Sequence, residues 1–115
     1  YLLPRADVEI DDFSEINEEL IDNLAKMEPF GNGNAEPILK ITKATVLSVR
    51  RMGADGQHVK LTLRDKNDVA LQMLAFNAPE EFFREVGDEV SAWFQPTVNE
   101  WQGMKSVEGR LLYLA

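Results

Sequence analysis

A mainly β fold, a five-stranded barrel with one short helix ahead of its fourth strand, is predicted by three observations. Five runs with a two-residue apolar period follow one another between residues 38 and 114, and that period belongs to half-buried strands. Turn residues divide them into three strands in a meander, an excursion, and a closing hairpin. The first run is long for one strand and its alternation slips near Thr42-Lys43, as in a strand bent by a bulge to serve two sheets. That order is the Greek-key barrel called an OB-fold. The helix position disfavours an SH3-like barrel.

Ahead of the barrel, Ala6-Asp7-Val8-Glu9-Ile10 alternates like a short strand, and Asp11-Asp12 breaks it. Ser14 is placed to cap a helix, although Asn17 stands where a capping box wants Glu or Gln. Ile16, Leu20, Ile21, Leu24 and Met27 then make one apolar stripe at helical spacing, with Glu18, Glu19, Asp22 and Lys26 opposite. A solvated helix face accounts for those acids; no ligands of mixed type accompany them for a metal. Pro29-Phe30-Gly31-Asn32-Gly33-Asn34, followed by Ala35-Glu36-Pro37, reads as a fixed elbow. Its glycines and asparagines suit positive φ and its prolines stop helix on either side. Phe30 is expected to plug an apolar pocket there.

Beyond the elbow, residues 38–51 form the first barrel strand and Met52-Gly53-Ala54-Asp55-Gly56-Gln57 a turn. Residues 58–64 alternate cleanly, with Val59, Leu61 and Leu63 on one face. Asp65-Lys66-Asn67-Asp68 is a tight hairpin turn and residues 69–76 the third strand. A short helix is expected over residues 79–84, with Pro79 in its first turn. Residues 89–99 form the fourth strand, in which Pro96 belongs at an edge or bulge because it cannot donate to a ladder. Asn99-Glu100-Trp101-Gln102-Gly103 is read as a hairpin loop and residues 105–114 as the fifth strand.

The 115 residues suffice for one domain, and 44% hydrophobic composition is ordinary for a globular chain. The absence of cysteine excludes disulfides and thiolate metal sites. No apolar run approaches the roughly 20 residues of a membrane span. The chain opens on Tyr1 in mid-pattern, and we expect it to be a piece of a longer protein. Its net charge of −8 is unevenly spread. Residues 1–36 hold two bases and ten acids, 2 − 10 = −8, and residues 37–115 hold ten of each, 10 − 10 = 0. The barrel is therefore neutral, with room for a local cationic face.

Glu28-Pro29-Phe30-Gly31-Asn32-Gly33-Asn34 with Glu36-Pro37 resembles the PFG-x-GN-PEP signature of the bacterial RecJ single-strand-specific exonucleases. Pro29, Phe30, Gly31, Gly33, Asn34 and Pro37 carry that match, and Ala35 departs from it where proline is usual. His58-Val59-Lys60-Leu61, Ala75-Phe76 and Asn99-Glu100-Trp101-Gln102-Gly103 resemble later positions of the same family in the expected order. The resemblance implies the C-terminal OB portion of such an enzyme. Residues 1–27 would be the tail of a preceding DHHA1 domain, residues 28–37 the elbow and residues 38–115 the barrel. It further implies a cytoplasmic parent that degrades single-stranded DNA 5′ to 3′ in repair and recombination, using Mn or Mg in a separate DHH domain. His58 is the only histidine and no DHH triplet is present, so no cofactor and no catalysis are expected of this piece; a two-metal centre needs several Asp and His ligands.

An OB-fold holds single strands by a cationic groove and aromatic stacking, usually on its second and third strands. His58, Lys60, Thr62 and Arg64 share one face of the second strand, and Gln72 is a neighbour from the third. Arg50 and Arg51 end the first strand, and Lys105 and Arg110 lie on the fifth. Trp101, read at a hairpin tip, either stacks a base or folds back over the barrel mouth. Trp93, out of phase with Ala92 and Phe94, is expected to pack against the lead-in helix, and Phe82 and Phe83 to plug the barrel. The expected partners are single-stranded DNA, with four to six phosphates neutralised, the parent's other domains, and single-strand-binding protein. An ordinary solvated strand face accounts for the same residues. The alternative function is a structural module that docks protein and has no DNA affinity of its own; the acidic lead-in favours it.

Overall fold

The fold comes from a computed structural model that describes residues 6, 8–16, 19 and 38–115, with backbone alone for 98–101 and 105. Among the described residues there are six strands: β1 (Val8–Ile10), β2 (Leu39–Met52), β3 (His58–Arg64), β4 (Ala70–Ala75), β5 (Glu89–Trp101) and β6 (Met104–Leu114). They form one sheet in the order β1-β2-β3-β4-β6-β5, and a further β2–β5 pairing closes β2 to β6 into a barrel. The β1–β2 and β4–β6 pairs are parallel and the others antiparallel. This is the mainly β, OB-type barrel that the periodicity predicts. The lead-in helix and the 28–37 elbow lie outside the described residues.

Closure depends on β2. Its buried positions run Leu39, Ile41, then Ala44, Val46, so the phase of two slips once. Thr42 and Lys43 stand opposite the single Ser91 of β5, so one extra residue absorbs that slip as a register shift, and Lys43 takes φ 57. A second shift between Val46 and Ser48 lies opposite β3. The first half of β2 thus pairs with β5 and the second half with β3, which one straight strand cannot do. The freed backbone at Val46 is satisfied by the loop before β5: Val46 N donates to the Asp88 carbonyl at 2.9 Å, and Gly87 N donates to the Val46 carbonyl at 2.8 Å.

Val59, Leu61 and Leu63 of β3 point inward with Met73 of β4, Phe94 of β5 and Leu114 of β6, all fully buried. Each such side chain contributes about 1.5–3 kcal/mol of transfer free energy. Gly109 of β6 faces the same core; a Cβ there would stand 3.0 Å from Met73 Cγ and 3.1 Å from Phe94 Cδ2. Pro96 pairs with Gly109, while the β2 pairing of β5 ends at Leu39–Phe94 among the described residues. It therefore sits at an edge, where its missing N–H breaks no ladder.

Three local expectations need correction. The helix over 79–84 is only a 3-10 turn, Glu80–Phe82, preceded by Pro79 in extended backbone at ψ 158. Phe82 is drawn into the core and Phe83 packs partly buried against it; adjacent residues of an α-helix diverge by about 100° and would not seat both on one small core. Ser14 does not cap the first turn. A 3-10 turn forms at Phe13–Glu15, and the Asp12 carboxylate accepts from Ser14 N instead. The closing hairpin has a two-residue turn, Gln102-Gly103, with φ 51 and 78. Positive φ at both central positions matches the strand twist, so Trp101 lies in β5, opposite Met104, and not at a loop tip. Trp93 is buried beside Tyr113, with ring centroids 5.4 Å apart, and Lys40 Nζ lies 4.7 Å above its ring. The helix expected against it is outside the described residues.

Residues 8–16 are fastened to the barrel. β1 extends the sheet along Leu39–Ile41, and Phe13 is buried edge-on to Phe94 at 6.3 Å. The Phe13 N–H donates to Asp65 Oδ2 at 2.8 Å, and Asn67 N and Val69 N donate to Oδ1 at 2.8 and 2.9 Å. Asp65 is the one buried charged residue among those described, 4% exposed. Burial works to raise its pKa, but the three backbone donors and nearby Lys66 outweigh that and hold it below the ordinary carboxylate value.

Candidate nucleic-acid interface

The face opposite the core carries the sequence-predicted cations, and strand register decides which of them meet. Because cross-strand partners share a face, β3 places His58, Lys60, Thr62 and Arg64 outward, half-buried, alternating with its buried apolar residues. Arg50 of β2 pairs with Lys60, Lys60 with Leu74 of β4, Leu74 with Arg110 of β6, and Arg110 with Gln95 of β5. Arg50, Lys60 and Arg110 therefore lie in one transverse row that spans three strand spacings, about 14 Å. A second row beside it runs Ser48, Thr62, Gln72. Among the described residues no ion pair engages Arg50, Lys60 or Arg110.

Other predicted members separate from this row. Arg51 follows Arg50 and so takes the other face, opposite inward-facing Val59. Its guanidinium lies 3.8 Å above the Phe83 ring, and Nη2 stands 3.8 Å from Glu80 Oε2. Arg64 Nε stands 3.6 Å from Asp68 Oδ1, an exposed pair of little energetic weight that nonetheless lowers the local positive potential. Lys105 pairs with Glu100, five residues before Arg110 along β6, about 17 Å away. The side chains of Trp101 and Lys105 lie outside the described residues.

His58 is committed within the fold. Its Nδ1 accepts from Asn77 N at 2.9 Å, and its ring lies edge-on to Phe76 at 5.1 Å. A Cβ on Gly53 would come within 2.8 Å of His58 Cδ2, so the glycine turn makes space for the imidazole. Among the described residues, the aromatic left facing solvent is Phe76, 63% exposed. Sequence reading of stackable rings missed it. The available signal was phase: Leu74 of β4, and Phe76 one residue past the strand's end, continue the outward phase that Gln72 marks as wet.

The acids are not spread evenly around this face. Asp12 accepts from Asn67 Nδ2 at 3.1 Å, and Asp65 and Asp68 flank the same turn. Negative charge thus gathers at the Arg64 end of β3. Glu9 is 3.3 Å from Lys40 Nζ, on the half of β2 remote from Arg50. The Arg50–Lys60–Arg110 row lies toward the His58 end, with acids near its β6 side: Glu108 stands two residues from Arg110 on the same face, and Glu81 shares a cleft with Arg110. Among the described residues, no group of three or more Asp, Glu or His is placed to hold a metal ion, and no helix is long and apolar enough to cross a membrane.

The comparisons with known proteins agree with this architecture. The family model of the RecJ OB domain matches residues 6–112. The single-stranded-DNA-specific exonuclease RecJ of Bacillus subtilis (strain 168) is 32% identical over 92 residues, which cover 79% of this chain and 12% of that protein. The crystal structure of RecJ from Thermus thermophilus in complex with Mn2+ matches with TM-score 0.60 at 26% identity, over 84% of this chain and 13% of that one. Its counterpart in complex with Mg2+ matches with TM-score 0.59 at 25% identity, over 84% and 14%. The chain spans about an eighth of the length of these relatives. With closed barrel, register and sequence in accord, the chain belongs to the RecJ OB-domain family.

Proposed function

We propose that this domain is a non-catalytic module that holds and positions single-stranded DNA for a RecJ-type 5′ to 3′ exonuclease of repair and recombination. The observation that carries the reading is the Arg50–Lys60–Arg110 row on the outer sheet face, free of ion pairs among the described residues. Three cations in line across four strands, with Leu74 between Lys60 and Arg110, suit phosphates of an extended strand, while Thr62 and Gln72 beside them supply neutral hydrogen-bonding groups. Hydrolysis belongs, in this reading, to a Mn- or Mg-bearing DHH domain elsewhere in a cytoplasmic parent. Residues 1–27 lead in from a preceding DHHA1-like domain, residues 28–37 are the elbow, and residues 38–115 touch DNA.

Charge reversal tests this. Lys60→Glu with Arg110→Glu, both on half-exposed or exposed positions, should weaken oligo(dT) binding at least tenfold at low salt in fluorescence anisotropy. Reversing two phosphate contacts should also flatten the salt slope by about 1.4. Unchanged affinity in the double variant sinks the proposal. The acids gathered at the Arg64 end favour a second reading, a protein-docking module. It predicts no DNA affinity at low salt together with retained binding to the parent's other domains or to single-strand-binding protein.

A further inference from the structure

Beside the cationic row, β4 and β6 part company. They pair only at Met73–Gly109 and Leu74–Arg110, and past that point the Glu80–Phe82 turn closes the space between them. The result is a cleft of about 680 Å³ lined by Leu74, Phe76, Pro79, Arg110, Leu112 and Tyr113, among others. That volume lies within the range of about 300–1,000 Å³ typical of small-molecule sites. Its walls are apolar and aromatic, and two charged residues, Arg110 and Glu81, contribute to its lining.

We propose that this cleft seats one nucleobase of the single strand whose phosphates follow the Arg50–Lys60–Arg110 row, with Phe76 as the stacking ring. The inference rests on the proposed function and deepens it. Leu74 and Arg110 belong to both features, so the cleft opens directly off the row. Glu81 at the lining repels a phosphate, whereas an uncharged base meets a ring, aliphatic walls and the Arg110 donors. Phe76 is set for this before any ligand arrives. Asn77 turns the backbone sharply at φ 51, its N–H is held by His58 Nδ1, and Ala78 N is held by the Gln57 carbonyl at 2.7 Å. The exposed ring is thus braced from behind by the edge-on imidazole. His58 is a positioning residue in this arrangement, and a ring fixed in place loses little freedom on stacking.

The test compares two ligands of equal charge, a 12-nucleotide oligo(dC) and an abasic strand of the same length, on the 115-residue chain. The base-bearing strand should bind about 5- to 100-fold more tightly than the abasic one, the range that one base–aromatic stack supplies. Phe76→Ala should remove most of that gap without changing affinity for the abasic strand, and Phe76→Trp should restore it. Phe76 is exposed, and matching thermal melts will show that its variants fold. A gap that survives in Phe76→Ala, or equal binding of both strands by the unaltered chain, overturns the base site and leaves the phosphate row standing. No binding of either strand at low salt overturns the row and the base site with it.

Discussion

Asp65 shows how a single side chain can tie together parts of a chain that are remote in sequence. One carboxylate accepts from the N–H groups of Phe13, Asn67 and Val69, so it closes the β3–β4 turn and anchors the lead-in across 52 positions. Asp65→Ala leaves those donors without their acceptor in a buried setting, and a loss of about 2–4 kcal/mol in urea unfolding is expected. The pH dependence follows from the lowered folded-state pKa. A depressed carboxylate contributes stability above its unfolded value near 3.9, and that contribution fades as pH falls through the lower folded value. The stability difference between the unaltered chain and Asp65→Asn should therefore be full at pH 6 and shrink below about pH 4. A difference independent of pH would contradict this account. None of it was legible beforehand: Asp65-Lys66-Asn67-Asp68 announces a turn, but nothing local says that Phe13 will come to meet it. Phe76 was partly legible, through a phase that places an aromatic on a wet face.

At the scale of elements, legibility followed periodicity. β3 matches its expected bounds because its alternation is clean over seven residues. The bulge in β2 was readable because the apolar phase slips between Ile41 and Ala44. Where local chemistry was ambiguous, packing decided. Pro79-Glu80-Glu81-Phe82 looks like a helix start, yet the pull of Phe82 into the core limits it to one 3-10 turn. Gln102 is no strong turn former, and a left-handed Gln was not foreseeable from the loop's composition. Two substitutions test this level. Gly109→Ala must push against Met73 and Phe94, and thermal melts should show a loss of about 1–3 kcal/mol; Met73→Ala, which opens space, should recover part of that specific loss. Lys43→Gly should be neutral or stabilising by up to about 1 kcal/mol because it relieves the left-handed backbone. Lys43→Val should be destabilising, since a β-branched residue tolerates positive φ poorly. Equal effects of the two at residue 43 would deny the bulge geometry.

The molecule as a whole is an acidic protein with a cationic lane. Asp12 of the lead-in and the acids of the β3–β4 turn stand at one end of β3, and Arg50, Lys60 and Arg110 align across the strands toward the other. The charge split was readable from sequence. The lane itself was not, because Arg51 and Arg110 looked equivalent until register put one over Phe83 and the other beside Leu74. The fewer cations gathered, three where four to six contacts were expected, set a shallow electrolyte dependence. The most direct measurement is therefore the affinity of the unaltered chain for oligo(dT) across a salt series. Three neutralised phosphates predict a slope of log K against log salt near −2, from about −0.7 per contact on single strands. A slope of zero, or no affinity at the lowest salt, would contradict a DNA-holding lane.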